Sequence, residues 1–192
     1  MTRYIVGISG ASGTIYGVRL LEALHEAAGD EIHLIITPGA KRTMALEMSR
    51  SPESLAPLAS FVHSDDDLAA PISSGSFQTA GMVVAPCSIK TAAAIAYSLN
   101  DTLLVRAADV CLKERRRLVL LIRETPLHLG HLRTLTQLAE LGAVILPPIP
   151  GFYSMPKTVD DIVNHSVGKA LDALGVSHEI YRRWRGPADQ HA

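Results

Sequence analysis

A glycine-rich run, Gly7-Ile8-Ser9-Gly10-Ala11-Ser12-Gly13, stands where an apolar segment gives way to an amphipathic one. Glycines permit a tight turn and close approach of backbone to a ligand, and the first amides of a helix can hold a phosphate. The run is not a Walker A loop, which closes on Gly-Lys-Ser/Thr. Nor is it a nucleophile elbow, because Ala11 breaks the Gly-x-Ser-x-Gly frame. A second anion cradle is available in Pro86-Cys87-Ser88-Ile89-Lys90-Thr91, where the Ser88 and Thr91 hydroxyls accompany helix-start amides. Each has a plain structural alternative: a tight strand–helix turn for the first, a simple Ser88 helix cap for the second. Two cradles at strand ends suit a mononucleotide with a phosphate tail. At the end of the second strand, Ile36-Thr37-Pro38 lacks the acid that a dinucleotide ribose requires.

Arg123 and Glu124 follow the most apolar stretch of the chain, Arg117–Ile122. Charge at such a place needs a partner or a task; the alternatives are an Arg–Glu pair closing the strand or groups of a reaction site. Arg106 and Lys113 lie seven residues apart, on one face of a helix, so both could serve one site. The loop Pro147-Pro148-Ile149-Pro150-Gly151-Phe152-Tyr153 is stiffened by proline and can hold a phenol in a fixed place. Ser73-Ser74-Gly75-Ser76-Phe77 is a polar loop. His128-x-x-His131 lacks a third ligand at a suitable spacing and reads as a helix-start or surface pair, and no metal site is expected. Asp65-Asp66-Asp67 reads as a solvated loop. Cys87, between apolar neighbours, reads as an inert packed thiol.

The elements that must position these groups alternate in type. Strands are expected at Tyr4–Ile8, Ile32–Ile36, Phe61–His63, Met82–Ala85, Arg117–Ile122 and Val144–Leu146. Helices are expected at Ile15–Ala28, Pro38–Met48, Ser51–Ala59, Lys90–Ser98, Ala107–Lys113 and Leu129–Leu141, with a last one from a Thr158 cap to about Gly175. Such alternation implies an α/β three-layer sandwich with a mainly parallel central sheet and ligands at the carboxyl ends of the strands. With 192 residues, one domain is expected, residues 1–186, followed by a short polar tail, 187–192. Aromatics are 5% and apolar residues 47%, so aliphatic side chains must fill the core, and the apolar surplus suggests burial between subunits. A formal net charge of −1 gives no field for nucleic acid or an acidic membrane. No apolar run reaches membrane-span length, and no signal peptide is visible. Two cysteines are too few for a disulfide framework and fit a reducing cytoplasm.

Taken in order, Gly7–Gly17, Ser73–Phe77, Pro86–Thr91, Arg106–Arg116, Arg123–Leu132 and Pro147–Pro156 resemble the UbiX-like flavin prenyltransferases. The resemblance runs from the first strand to Trp184. It implies a Rossmann-like fold and a homo-oligomer, a dodecamer, working without metal. It implies transfer of a dimethylallyl group from dimethylallyl phosphate to N5 and C6 of reduced FMN, giving prenylated FMN for UbiD-type decarboxylases. By the same resemblance, Gly10, Ala11, Ser12, Gly13, Thr37, Ser88, Ile89, Lys90, Thr91 and Arg123 would bind FMN. Tyr153, Lys169 and Trp184 would meet the prenyl donor, with Trp184 covering the site. Ser12, Arg106, Lys113, Glu124 and a neighbouring subunit's Glu47 would surround the phosphate and the reacting ring. Thr37 stands where the family commonly has Ser, and Lys169 where many members have Arg, which keeps charge and loses the bidentate fork. Two other readings stand beside this one: a non-catalytic FMN-binding subunit of a decarboxylase, and an FMN-dependent cysteine-type decarboxylase.

Overall fold

The computed structural model describes residues 1–27 and 30–186; the expected helix end at Ala28 and the tail 187–192 lie outside them. Six strands form one parallel sheet: β1 (Arg3–Ile8), β2 (Glu31–Ile36), β3 (Phe61–His63), β4 (Gly81–Cys87), β5 (Arg117–Ile122) and β6 (Val144–Ile145). Their order is β3-β2-β1-β4-β5-β6. Winding therefore reverses between β1 and β4, and a crevice must open there at the carboxyl ends.

Every residue of β4 is buried, as are β1 and β5 after their first residue. This is the mark of strands covered on both faces. Alternation then divides the core. Tyr4, Val6, Ile8, Val83, Ala85, Val119 and Leu121 pack under α1 (Thr14–Glu26) and α6 (Val159–Leu174). Ile5, Met82, Val84, Leu118, Leu120 and Ile122 pack under α3 (Ile89–Ala96), α4 (Leu103–Lys113) and α5 (Leu129–Glu140). A Cβ at Gly17 would overlap the Ala85 carbonyl oxygen, so glycine brings α1 down onto β4.

The helix α2 (Pro38–Glu47) starts at the expected proline, and α6 has the expected Thr158 cap, completed as a capping box by Asp161. Three expectations change. The segment Ser51–Ala59 is a 3-10 helix, Pro52–Leu58, interrupted by Pro57, which has no amide to donate. The helix expected at Ala107 begins one turn earlier, at Leu103. Its start is held from a distant loop: Asp65 accepts from the Leu104 amide at 3.0 Å through its carboxylate and from the Leu103 amide at 2.7 Å through its carbonyl. Asp65 is thus a remote helix cap rather than a solvated loop acid. His128 caps α5, its Nδ1 accepting from the Gly130 amide at 3.0 Å, as a helix-start role requires.

Candidate functional site

A cavity of about 1090 Å³ opens at the switch point. It is lined from five strand ends: Gly10, Ala11 and Ser12 after β1, Thr37 after β2, Ser64 to Asp66 after β3, Ser88 to Thr91 after β4, and Arg123 and Glu124 after β5. Both sequence-level cradles therefore face one space. Its size suits a mononucleotide-sized ligand.

Three helix starts converge on this region, and they are not equivalent. At α1 the left-handed Gly13 (φ 92°) turns the chain into the helix. The Gly13 amide donates to Glu47 Oε2 at 2.8 Å, and the Thr14 amide donates to the same oxygen at 3.3 Å. Burial pushes the Glu47 carboxyl up, but bonds from Ser12, Gly13 and Thr14 outweigh it and hold it below the usual carboxylate range. Glu47 is thus an acidic cap on α1. The resemblance brings Glu47 from a neighbouring subunit; here the chain's own Glu47 reaches the loop. The expectation that the α1 amides are free for phosphate is corrected accordingly.

The other two starts remain open. Thr37 caps α2, its Oγ1 accepting from the Ala40 amide at 3.1 Å. Ser88 caps α3, its Oγ accepting from the Thr91 amide at 3.2 Å and donating to Thr91 Oγ1 at 3.0 Å. The intervening first-turn amides, Gly39 on α2 and Ile89 and Lys90 on α3, have no intrahelical acceptor, and all three residues line the cavity. Lys41 and Arg42 line it from the first two turns of α2. Open helix starts flanked by cations can hold an anion. A Cβ on Gly10 would lie 3.1 Å from the Gly39 backbone, so Gly10 lets the first loop lie against the α2 start.

Ser9 joins the two cradles. It is fully buried. Its Oγ donates to the Pro86 carbonyl at 2.9 Å and accepts from the Ser88 amide at 2.8 Å. No sequence signal beyond its place in the glycine run marks it. Ser9→Ala leaves the Ser88 amide without its acceptor and the Pro86 carbonyl with only the Ser9 amide at 3.2 Å, a loss of about 1–3 kcal/mol. We expect a lower Tm and faster loss of a bound mononucleotide on dialysis, while Ser9→Thr spoils packing but retains the bonds. Unaltered nucleotide retention in Ser9→Ala would remove this role.

The remaining predicted residues form two groups outside the cavity lining. Arg106 and Lys113 both meet the loop 73–77, as their shared helix face suggested. Arg106 Nε donates to the Ser73 carbonyl at 3.1 Å and its guanidinium pairs with Asp109 at 2.9 Å. Lys113 pairs with Glu114 beside Gly75. Tyr153, Lys169 and Trp184 gather at α6. Tyr153 hydroxyl lies 3.1 Å from His165 Nε2, and its ring meets Trp184 edge-on at 5.9 Å. Lys169 lies close enough for its charge to help burial push the His165 pKa down. Of the residues the resemblance assigns to FMN, all but Gly13 line the cavity, whereas Arg106 with Lys113, and Tyr153 with Lys169 and Trp184, lie in two other places on the chain.

Both thiols are buried, and burial pushes Cys111 up to about 12 and Cys87 higher still, so neither is a nucleophile at neutral pH. Among the described residues no cluster of His, Cys, Asp or Glu is arranged to hold a metal ion. Also among them, no helix is long and apolar enough to cross a membrane.

A parallel sheet with a mononucleotide-sized crevice and open helix starts at its switch point is the architecture of a nucleotide-binding α/β protein. The Flavoprotein family model matches residues 1–171. The flavin prenyltransferase UbiX of Thauera aromatica is 57% identical over 184 residues, 96% of this chain and 94% of that protein. The chain belongs to this family. A dodecameric FMN-dependent UbiX-like decarboxylase from Escherichia coli O157:H7 superimposes with TM-score 0.94 at 49% identity, covering 96% of this chain and all of that one. A UbiX protein solved with FMN and dimethylallyl pyrophosphate superimposes equally well, TM-score 0.94, at 44% identity over 96% and 98% of the two chains.

Proposed function

We propose that this protein is a flavin prenyltransferase: it binds reduced FMN in the switch-point cavity and joins to its N5 and C6 a dimethylallyl group taken from a phosphate ester. The observation that carries the reading is the pair of open helix starts in a cavity rimmed by Arg123 and Glu124, in a chain 57% identical to such an enzyme. FMN fits what lines the cavity. Gly39, Ile89 and Lys90 offer amides, Thr91 a hydroxyl, and Lys41, Arg42 and Arg123 charge. Bound there, the reduced flavin supplies the nucleophilic ring atoms.

The chain's own residues do the rest. Glu124 moves the proton displaced at the ring or given to the leaving phosphate. Tyr153, Lys169 and Trp184 hold the donor; Arg106 and Lys113 neutralise the phosphate as it departs. Because these last two lie off the cavity in their own chain, we place them at the cavity of another copy, within an assembly like the dodecameric relative. The aromatic rings of Tyr153 and Trp184 exclude water from the allylic fragment. A non-catalytic flavin subunit would have no use for the Glu124 carboxylate. A cysteine-type decarboxylase would have no use for a prenyl site. The product would pass to a UbiD-type decarboxylase, and two buried free thiols suit a cytoplasmic protein.

The test is anaerobic incubation with reduced FMN and dimethylallyl monophosphate, and in parallel with the diphosphate, followed by mass analysis of the released flavin. We expect a flavin carrying one added five-carbon unit with the monophosphate. Flavin recovered unaltered from both incubations would refute the reading.

A further inference from the structure

Trp184 lies beyond the last helix, ten residues past Leu174, yet its ring meets Tyr153 at 5.9 Å. Something must hold this segment, because a polar stretch outside regular structure has no backbone ladder to fix it. Ile180 packs against the core, and the polar holding point is Asp172. Its Oδ2 accepts from the Tyr181 hydroxyl at 2.6 Å and from Arg183 Nη1 at 3.1 Å. Its Oδ1 accepts from Arg183 Nη2 at 2.7 Å and lies 3.1 Å from His178 Nε2. The Arg183 fork is bidentate, the strong form of such a pair.

The seat for the returning chain is one stripe of α6. His165, Gly168 and Asp172 follow at helical spacing and share a face. A Cβ at Gly168 would penetrate the Tyr181 ring, so glycine clears the space in which that ring lies. The ring then meets His165 edge-on at 5.2 Å, and the Arg183 guanidinium lies 5.1 Å above it. His165 in turn reaches the Tyr153 hydroxyl. Burial pushes the Asp172 carboxyl up, but Arg183, Tyr181 and His178 outweigh it and hold it at about 2, ionised wherever the enzyme works.

We propose that Asp172 is a positioning residue of the prenyl-donor site: by strapping residues 178–183 to α6 it sets Trp184 against Tyr153. The proposal rests on the reading that Tyr153 and Trp184 face the donor. Both rings are partly exposed, 40% for Tyr153 and 53% for Trp184, which leaves surface for an apolar chain to cover. Neither ring touches Asp172 in any contact described above; the carboxylate acts through the strap.

Trp184 is the single tryptophan of the chain, so its fluorescence reports the strap directly. In the FMN-loaded protein, Asp172→Asn should shift Trp184 emission to the red and raise its quenching by acrylamide. KM for dimethylallyl phosphate should rise about tenfold, the scale of one lost charged hydrogen bond, with kcat and FMN retention close to wild type. Asp172→Glu should recover part of the loss. In a Trp184→Ala background, Asp172→Asn should add nothing to KM. A wild-type KM and emission in Asp172→Asn would overturn the proposal, as would an equal rise in KM with and without Trp184. If Tyr153→Phe and Trp184→Ala themselves keep the wild-type KM, the donor-site reading fails first and takes the proposal with it. If those two raise KM and Asp172→Asn does not, the strap alone is refuted.

Discussion

Glu124→Gln should retain FMN and lose turnover by about 10²–10⁴, the usual cost of removing a general acid–base group. The geometry separates the two effects. The Arg123 amide donates to the Cys87 carbonyl at 3.0 Å, which ties the end of β5 to β4 and fixes where Glu124 emerges. Glu124 Oε1 accepts from the Thr125 amide at 3.0 Å, so the carboxylate is oriented by its own loop. No ion pair joins it to Arg123 among the described residues, although both line the cavity. The alternative of a charge pair that merely closes the strand therefore loses its support, and the carboxylate keeps lone pairs for a proton in the cavity. Glutamine preserves size and the Thr125 bond and cannot titrate. Anaerobic single-turnover spectroscopy of the bound flavin separates binding from chemistry. Formation of product at the wild-type rate would reduce Glu124 to a structural residue.

How far the sequence could lead is best seen at the helix starts. The glycine run and the Ser88 segment were legible because turns and caps are local: residue type and spacing set the conformation, and both loops face one cavity. Parallel strands were legible for the same reason, as unbroken aliphatic runs. What was not legible depends on contacts far apart in the chain. Glu47 closes the α1 start across thirty-three and thirty-four residues, and Asp65 starts α4 across thirty-nine. Ser9 bonds to Ser88 across seventy-nine. No periodicity carries such pairings. Lys41 and Arg42 had a weaker signal, two cations in the first two turns of a helix that follows a strand end, where an anion is welcome only if the helix start is open. The Asp172 strap was hidden because a lone helical aspartate resembles any solvated one until the tail returns to it.

The separation of Arg106 and Lys113 from the cavity leads to the second large effect. Residues Thr102 and Val105 line the cavity from the start of α4. Lys113 is seven residues beyond Arg106, roughly 10 Å further along the helix axis, and pairs with Glu114 beside the loop 73–77. It is not among the residues that line the cavity of its own chain. If it serves the cavity of another copy, Lys113→Ala should remove the charge that receives the departing phosphate, a loss on the scale of 10²–10³ in rate for one such group. Lys113→Ala and Glu124→Gln should then complement each other. Co-expressed with different affinity tags and purified through both, the two inactive variants should form mixed oligomers in which about a quarter of the sites pair an intact Glu124 with an intact Lys113 from its neighbour, as random assembly of a symmetric oligomer requires. Activity should return to about that fraction of wild type. Were both residues to act within one chain, every site in the mixture would lack one of them, and the mixed oligomer would remain as inactive as its parents.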